Sequence, residues 1–293
     1  MSSPVLVTGA TGNVGRPLVT ALRTMGVPVR PASRRGTEPG GIAFDFGVPE
    51  TWPSAFDGVA TMFLVRPPHL ANIARDMVPS LEEARRRGVR HVVLLSVQGA
   101  DRVPILPHAR LERWLRASGM AWTFLRPSYF DQNLSTVFAA DIRDHDRILV
   151  PAGAGRTAFV DALDVASVAA TVLRDPGLHR GRSWSPTGRE ALTYAEVART
   201  LSEVLGRTVT YRDPGIVGYF RHARADLGMD TARALTTTVI HATARLGVAK
   251  HLTDDVRRVT GQDPLSFRSF VDRERTVWER PGGERPGGER PGA

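Results

Sequence analysis

Residues 4–16, PVLVTGATGNVGR, constrain this chain more than any other stretch. Val5, Leu6 and Val7 form an apolar, largely β-branched run suited to a buried strand. Gly9, Gly12 and Gly15 follow at G-x-x-G-x-x-G spacing. Leu18, Val19 and Leu22 then recur at helical spacing, and Gly26 stops the helix. A glycine turn between a strand and a helix is the context a dinucleotide-binding motif requires. Gly9 lets the chain turn off the strand. Gly12, without a Cβ, lets a pyrophosphate approach the backbone. Gly15 lets helix and strand pack closely. The free N–H groups of the first helical turn then face the ligand's negative charge.

At 293 residues the chain is long enough for one large core, with or without a subdomain. Cysteine is absent, which excludes disulfides and thiolate chemistry. No apolar run approaches the length of a membrane span, and no signal segment precedes the first strand, so a cytoplasmic location and no membrane partner are expected. The net charge of +9 is almost wholly arginine, since Lys250 is the one lysine. These arginines are scattered rather than gathered on a basic helix, so the expected partner is a small molecule and not nucleic acid.

Further strands are expected at Val27–Ala32, Ile42–Phe46, Ala60–Val65, His91–Ser96 and Trp122–Arg126, with a short one at Ile148–Ala152. Helices alternate with them, including 69–87, Arg110–Ala117, Asp161–Leu173 (Asp164 placed to cap its regular part) and Thr193–Leu205, which Gly206 stops. This alternation predicts an α/β fold, a Rossmann doubly wound parallel sheet, in which ligands lie beyond the carboxyl ends of the strands. Thr11, Asp45, Arg66 and Ser96 belong to that edge. The second strand runs into Ser33, Arg34 and Arg35 rather than an acidic residue. A guanidinium pairs bidentately with a 2′-phosphate, so NADPH is expected over NADH, with Arg34 the first candidate. Helices near Ile216–Asp226 and Thr231–Leu246 form a pair that is either a structural cap or a lid at 215–247. The expected division is a cofactor domain over 1–150, a substrate-binding part over 151–278 and a repeat tail over 279–293. The tail, ERPGGERPGGERPGA, lacks apolar residues able to build a core and is expected to be disordered.

VTGATGNVG at 7–15, the His108/Glu112 pair, SGMAWTFLRPSYFDQN at 118–133 and TGREALTYAEVARTLSEVLGR at 187–207 resemble the NmrA-like branch of the atypical short-chain dehydrogenase/reductase family. The resemblance implies NADP(H) on a Rossmann domain and reduction of quinones, ketones or other small electrophiles. Some members of the branch only sense the cofactor and regulate a partner, which is the alternative function. The cofactor-binding set is then Gly9, Thr11, Gly12, Asn13, Val14, Ser33, Arg34, Arg35, Asp45, Phe46, Val65, Arg66, Pro127 and Ser128. The wider family uses a Ser, then Tyr-x-x-x-Lys with a Glu four residues on. Here Ser96 keeps the Ser position and Glu112 the Glu, but Pro104 and His108 stand at the Tyr and Lys positions.

The missing tyrosine matters because hydride transfer to a ketone builds charge on oxygen, which needs a donor and a proton. Ser96 is expected to donate a hydrogen bond. His108 is expected either to supply a proton near neutral pH or to hold the nicotinamide ribose. Tyr129 is a second phenol near the same edge, and a phenol or quinol on the substrate is another proton source. A bulky aromatic substrate follows from the resemblance, which extends to reductases of aromatic polyketides in bacterial antibiotic biosynthesis. His108 and Glu112 have i, i+4 spacing, but two ligands do not make a metal site, and none is expected.

Overall fold

The computed structural model describes residues 3–280. The repeat beyond residue 280, expected to be a disordered tail, lies outside them. One strand precedes the glycine motif and five follow it: β1 (Val5–Thr8), then β2 (Val29–Ser33), β3 (Ile42–Ala43), β4 (Thr61–Val65), β5 (His91–Leu95) and β6 (Ala121–Leu125). They lie in the spatial order β6-β5-β4-β1-β2-β3, and all pairs are parallel. A seventh parallel strand, Arg182–Trp184, adds beside β6. The order reverses at β1, the switch point where α/β sheets open a crevice for ligands.

Alternation within the strands explains their unbroken apolar runs. Val5, Val7, Phe63, Val93 and Leu125 face one core, which includes helix α1 (Gly15–Thr24) and the alanine-rich helix Ala162–Arg174. Leu6, Met62, Leu64, Val92, Leu94 and Phe124 face a second core with Leu81, Leu111 and Leu115. Both faces of the sheet are therefore dry, which only helices on both sides can achieve. The expected Rossmann fold is the observed one.

The elements differ from expectation in four places. The third strand is only Ile42–Ala43, because Phe44 and Phe46 turn into the second core as an edge-to-face pair 4.8 Å apart. The segment 69–87 holds two helices, Ile73–Asp76 and Val78–Arg86, parted at Met77, and Pro79 starts the second. Asp164 does not cap its helix. Asp161 does, accepting from Leu163 N at 3.0 Å, while buried Asp164 accepts from Leu265 N at 2.9 Å. The strand expected at Ile148–Ala152 is Arg147–Leu149, which pairs with Thr210–Arg212.

The chain folds into two compact units. Among the described residues, one holds those up to Phe130 with Phe159–Arg189 and Leu252–Leu265; the other holds Asp131–Ala158, Glu190–His251 and 266–280. Position 150, the expected boundary, lies within the second unit, which the chain enters at Asp131. In that second unit Thr193 and Glu196 form a reciprocal capping box on the helix Tyr194–Leu205, and Gly206 ends it in the left-handed conformation. The helices Gly215–Ala225 and Thr231–Ala244 are the expected pair.

Candidate functional site at the carboxyl edge of the sheet

The glycine turn follows β1. Gly9 has φ +64°, and a Cβ there would also press on Val65 Cβ at 3.3 Å. A Cβ on Gly15 would fall 2.9 Å from Ala10 Cα and closer still to the Gly9 carbonyl, so only glycine lets α1 start this near the strand. At Gly12 a Cβ would meet only the Gly9 carbonyl oxygen, at 3.3 Å, leaving the backbone open on its exposed side. Helix α1 has no side-chain cap and no acidic residue in its first turn. Its positive end is therefore available to an anion. Thr11 and Asn13 are exposed here, whereas the Val14 side chain belongs to the core and offers the turn only its backbone.

Parallel register brings the other expected residues to the same edge, since Thr8 lies opposite Ala32 and Val65 opposite Leu95, itself opposite Leu125. After β2, the Ser33 hydroxyl donates to Glu38 Oε2 at 2.8 Å and accepts from Gly36 N at 3.0 Å. Glu38 is a partner the sequence reading missed. It lies five residues beyond the strand, where only the tight loop brings it back. Arg34 and Arg35 are exposed and have no ion-pair partner among the described residues. Asp45 caps its own turn, accepting from Gly47 N at 2.8 Å, and Phe46 is 8% exposed, so both serve the loop's structure.

The catalytic expectations change most. Ser96 is 2% exposed and donates to Glu112 Oε1 at 2.7 Å. The Glu112 carboxylate, 1% exposed, also accepts from Arg126 Nε at 2.9 Å and Arg126 Nη2 at 2.6 Å. It also accepts from Arg116 Nη2 at 3.2 Å. The side-chain hydrogen bond of Arg126 to Glu112 outweighs burial and raises the guanidinium's pKa further. Ser96 has one proton, and it is committed to a buried carboxylate rather than offered to a substrate. The expected donation by Ser96 to a substrate would have to compete with this contact. Arg126 itself was legible as a cation ending an apolar strand before Pro127, but its partner was not.

Burial bears on one of the two roles expected of His108, that of proton source, and leaves open its holding of the nicotinamide ribose. Burial, and then the adjacent Arg66 guanidinium, push its pKa down to about 3. It stays neutral near pH 7 and is no imidazolium proton source. Its Nε2 accepts from Arg66 Nε at 3.4 Å, which places its proton on Nδ1. Arg66 Nη1 donates to the carbonyls of Pro67 (2.9 Å), Pro68 (3.1 Å) and Leu70 (2.9 Å). Tyr129 lies in the short strand Tyr129–Phe130, its ring edge-on to Phe159 at 5.7 Å. Buried Pro127 accepts from Gln98 N at 2.9 Å through its carbonyl. Beside it, the buried Ser128 Oγ has no hydrogen-bond partner among the described residues. A buried hydroxyl without a partner on a ligand-binding edge fits a polar ligand group. Among the described residues no cluster of His, Cys, Asp and Glu could hold a metal ion, and no helix is long and apolar enough to cross a membrane.

Known proteins resemble this chain. An NAD(P)H azoreductase from Xenophilus azovorans is 33% identical over 286 residues, covering 91% of this chain and 96% of that protein. An NADPH-dependent quinone oxidoreductase of Escherichia coli, solved with NADPH, superposes with a TM-score of 0.81 at 22% identity, covering 92% of this chain and 99% of the other. NmrA, a negative transcriptional regulator solved with NADP, superposes at 0.72 with 16% identity, covering 93% and 95%. The NmrA-like family model matches residues 1–217. With a matched glycine turn, a parallel sheet reversing at β1 and this family match over most of its length, the chain belongs to the NmrA-like family.

Proposed function

We propose that this chain is an NADPH-dependent oxidoreductase that reduces a carbonyl of a bulky aromatic substrate, a quinone or an aromatic polyketide ketone. One observation carries the cofactor half: an uncapped helix N-terminus on a three-glycine turn, with Arg34 and Arg35 exposed and unpaired just beyond β2. The helix end and Gly12 would receive the pyrophosphate, Arg34 the 2′-phosphate, and Ser128 Oγ a polar group of the cofactor. When bound, NADPH supplies the hydride. The relatives support the substrate half, since an azoreductase and a quinone oxidoreductase are both named for conjugated acceptors.

The chain's own groups narrow the proton source. Ser96 is committed to Glu112 and His108 is neutral, so neither supplies it. The Tyr129 phenol, a phenol on the substrate, or water remains. A quinone needs no strong acid, because its reduced oxygen is a phenolate of modest basicity. A second reading, a cofactor-sensing regulator, is favoured by the same loss of acids and by the likeness to NmrA.

The test is NADPH oxidation at 340 nm with naphthoquinones and aromatic ketones, with and without a neighbouring phenol, beside fluorescence titrations of NADPH and NADH. Turnover, together with a preference for NADPH that falls about tenfold or more in Arg34→Ala, supports the proposal. Tight NADPH binding without turnover of any acceptor supports the regulator instead. Equal affinity for the two cofactors refutes the role of Arg34.

A further inference from the structure

Arg66 carries an inference that rests on this reading. The half-buried guanidinium follows directly on Val65, the last residue of β4, so it sits at the ligand edge of the sheet beside the glycine turn. Three of its contacts are carbonyls and the fourth is neutral His108. No carboxylate pairs with it among the described residues, and Nη2 makes no hydrogen bond there. Taking a cation out of water without an anion is costly, and burial pulls the Arg66 pKa down accordingly. The four contacts hold Nε and Nη1 and leave Nη2 as the one unused donor end. That is the arrangement of a cation kept ready for an anion that arrives later.

We propose that Arg66 binds the substrate's carbonyl oxygen and stabilises the negative charge that forms there, in place of the tyrosine this chain lacks, with His108 as its positioning residue. The balance is simple. Hydride forms a new bond to the acceptor, the carbonyl π pair moves to oxygen as a full negative charge, and water then delivers one proton to that oxygen. NADPH is the reductant, and its oxidised form and hydroxide account for the remaining charge. Arg66 gives up no proton in this scheme, which suits a guanidinium.

The test uses 4-nitrophenol as a mimic of the charged oxygen, added to the full chain with and without NADP+. Its absorbance reports ionisation of the bound phenol directly. Wild type is expected to favour bound phenolate over bound phenol by about tenfold relative to solution. Arg66→Met is expected to lose that preference, and Arg66→Lys to keep part of it. Quinone turnover by Arg66→Met is expected to fall roughly 100-fold, the typical cost of one lost oxyanion donor, with NADPH affinity within about twofold of wild type. His108→Gln is expected to weaken the phenolate preference partially. If Arg66→Met instead lowers NADPH affinity tenfold and leaves the nitrophenol titration unchanged, Arg66 is a cofactor ligand and the proposal is overturned. Wild type that fails to shift nitrophenol ionisation overturns it as well. Because NADPH binding is read separately, failure here leaves the oxidoreductase assignment to its own experiment.

Discussion

Replacing Ser96 separates two roles that its position in the sequence leaves confounded. In the structure Ser96→Ala removes one charge-assisted hydrogen bond, the 2.7 Å contact to Glu112 Oε1, in a place that water does not reach. Arg126 still binds both carboxylate oxygens and Arg116 one of them, so the charge of Glu112 stays compensated. The loss is then that of a single hydrogen bond to a charged group, about 2 kcal/mol. A chain of this size would melt about 4–8 °C lower, and its fold would stay populated at 25 °C. Differential scanning fluorimetry reads the shift. NADPH oxidation with 1,4-naphthoquinone at 25 °C reads the chemistry, and kcat is expected within about threefold of wild type. The opposite pattern, an unchanged melting temperature with kcat lowered 100-fold or more, is the signature of a lost oxyanion donor and would refute the structural role.

Two further outcomes follow from the geometry. Gly15→Ala forces a Cβ into the Gly9–Ala10 backbone, so both thermal stability (about 2 kcal/mol) and NADPH affinity are expected to fall together; a variant with neither change would show that α1 does not need this close approach. His222 lies buried between Asp141 (2.6 Å from Nε2) and Asp226 (2.6 Å from Nδ1), with Arg147 also on Asp141 at 3.1 Å. The hydrogen bond to Asp141, opposed by burial and reinforced by Asp226, raises its pKa above the usual value near 6.5. A raised folded-state pKa contributes stability that is complete below the unfolded pKa and is lost as pH climbs through the folded value. Asp141, which burial pushes up but its bonds to His222 and Arg147 together hold low, adds stability lost only in acid. Thermal melts from pH 6 to 9 should therefore decline, and His222→Gln should lose about 3 kcal/mol at pH 6 and flatten the decline. A wild-type curve flat across that range would refute the charged cluster.

Much of the fold was legible along the chain because its information is local. The glycine spacing, the apolar runs and the caps at Thr193 and Gly206 each act within a turn or two of the backbone, so the parallel α/β sheet and its ligand edge followed from residue order. The strands also ended where Ser33, Arg66 and Ser96 were expected to reach that edge. The limits appeared wherever a partner comes from far away. Asp161 rather than Asp164 caps its helix because Asp164 is claimed by Leu265, a residue 101 positions later. The strand Arg182–Trp184 is too short and too exposed to announce itself, and it exists because β6 offers a free edge.

The site divides along the same line. Sequence alone gives the residues at these positions, and the resemblance reads Pro104 and His108 as standing where the wider family has its tyrosine and lysine. Tertiary structure decided what the remaining groups can do. The protonation of a histidine and the direction of a hydroxyl depend on burial and on charges a few ångströms away, and neither is written in spacing. The Ser96 hydroxyl is turned to Glu112, 16 residues distant, and His108 is held neutral by burial and by Arg66, 42 residues distant. The same contacts left Arg66 with an unanswered donor, a feature visible only once the fold had brought three carbonyls and an imidazole around it.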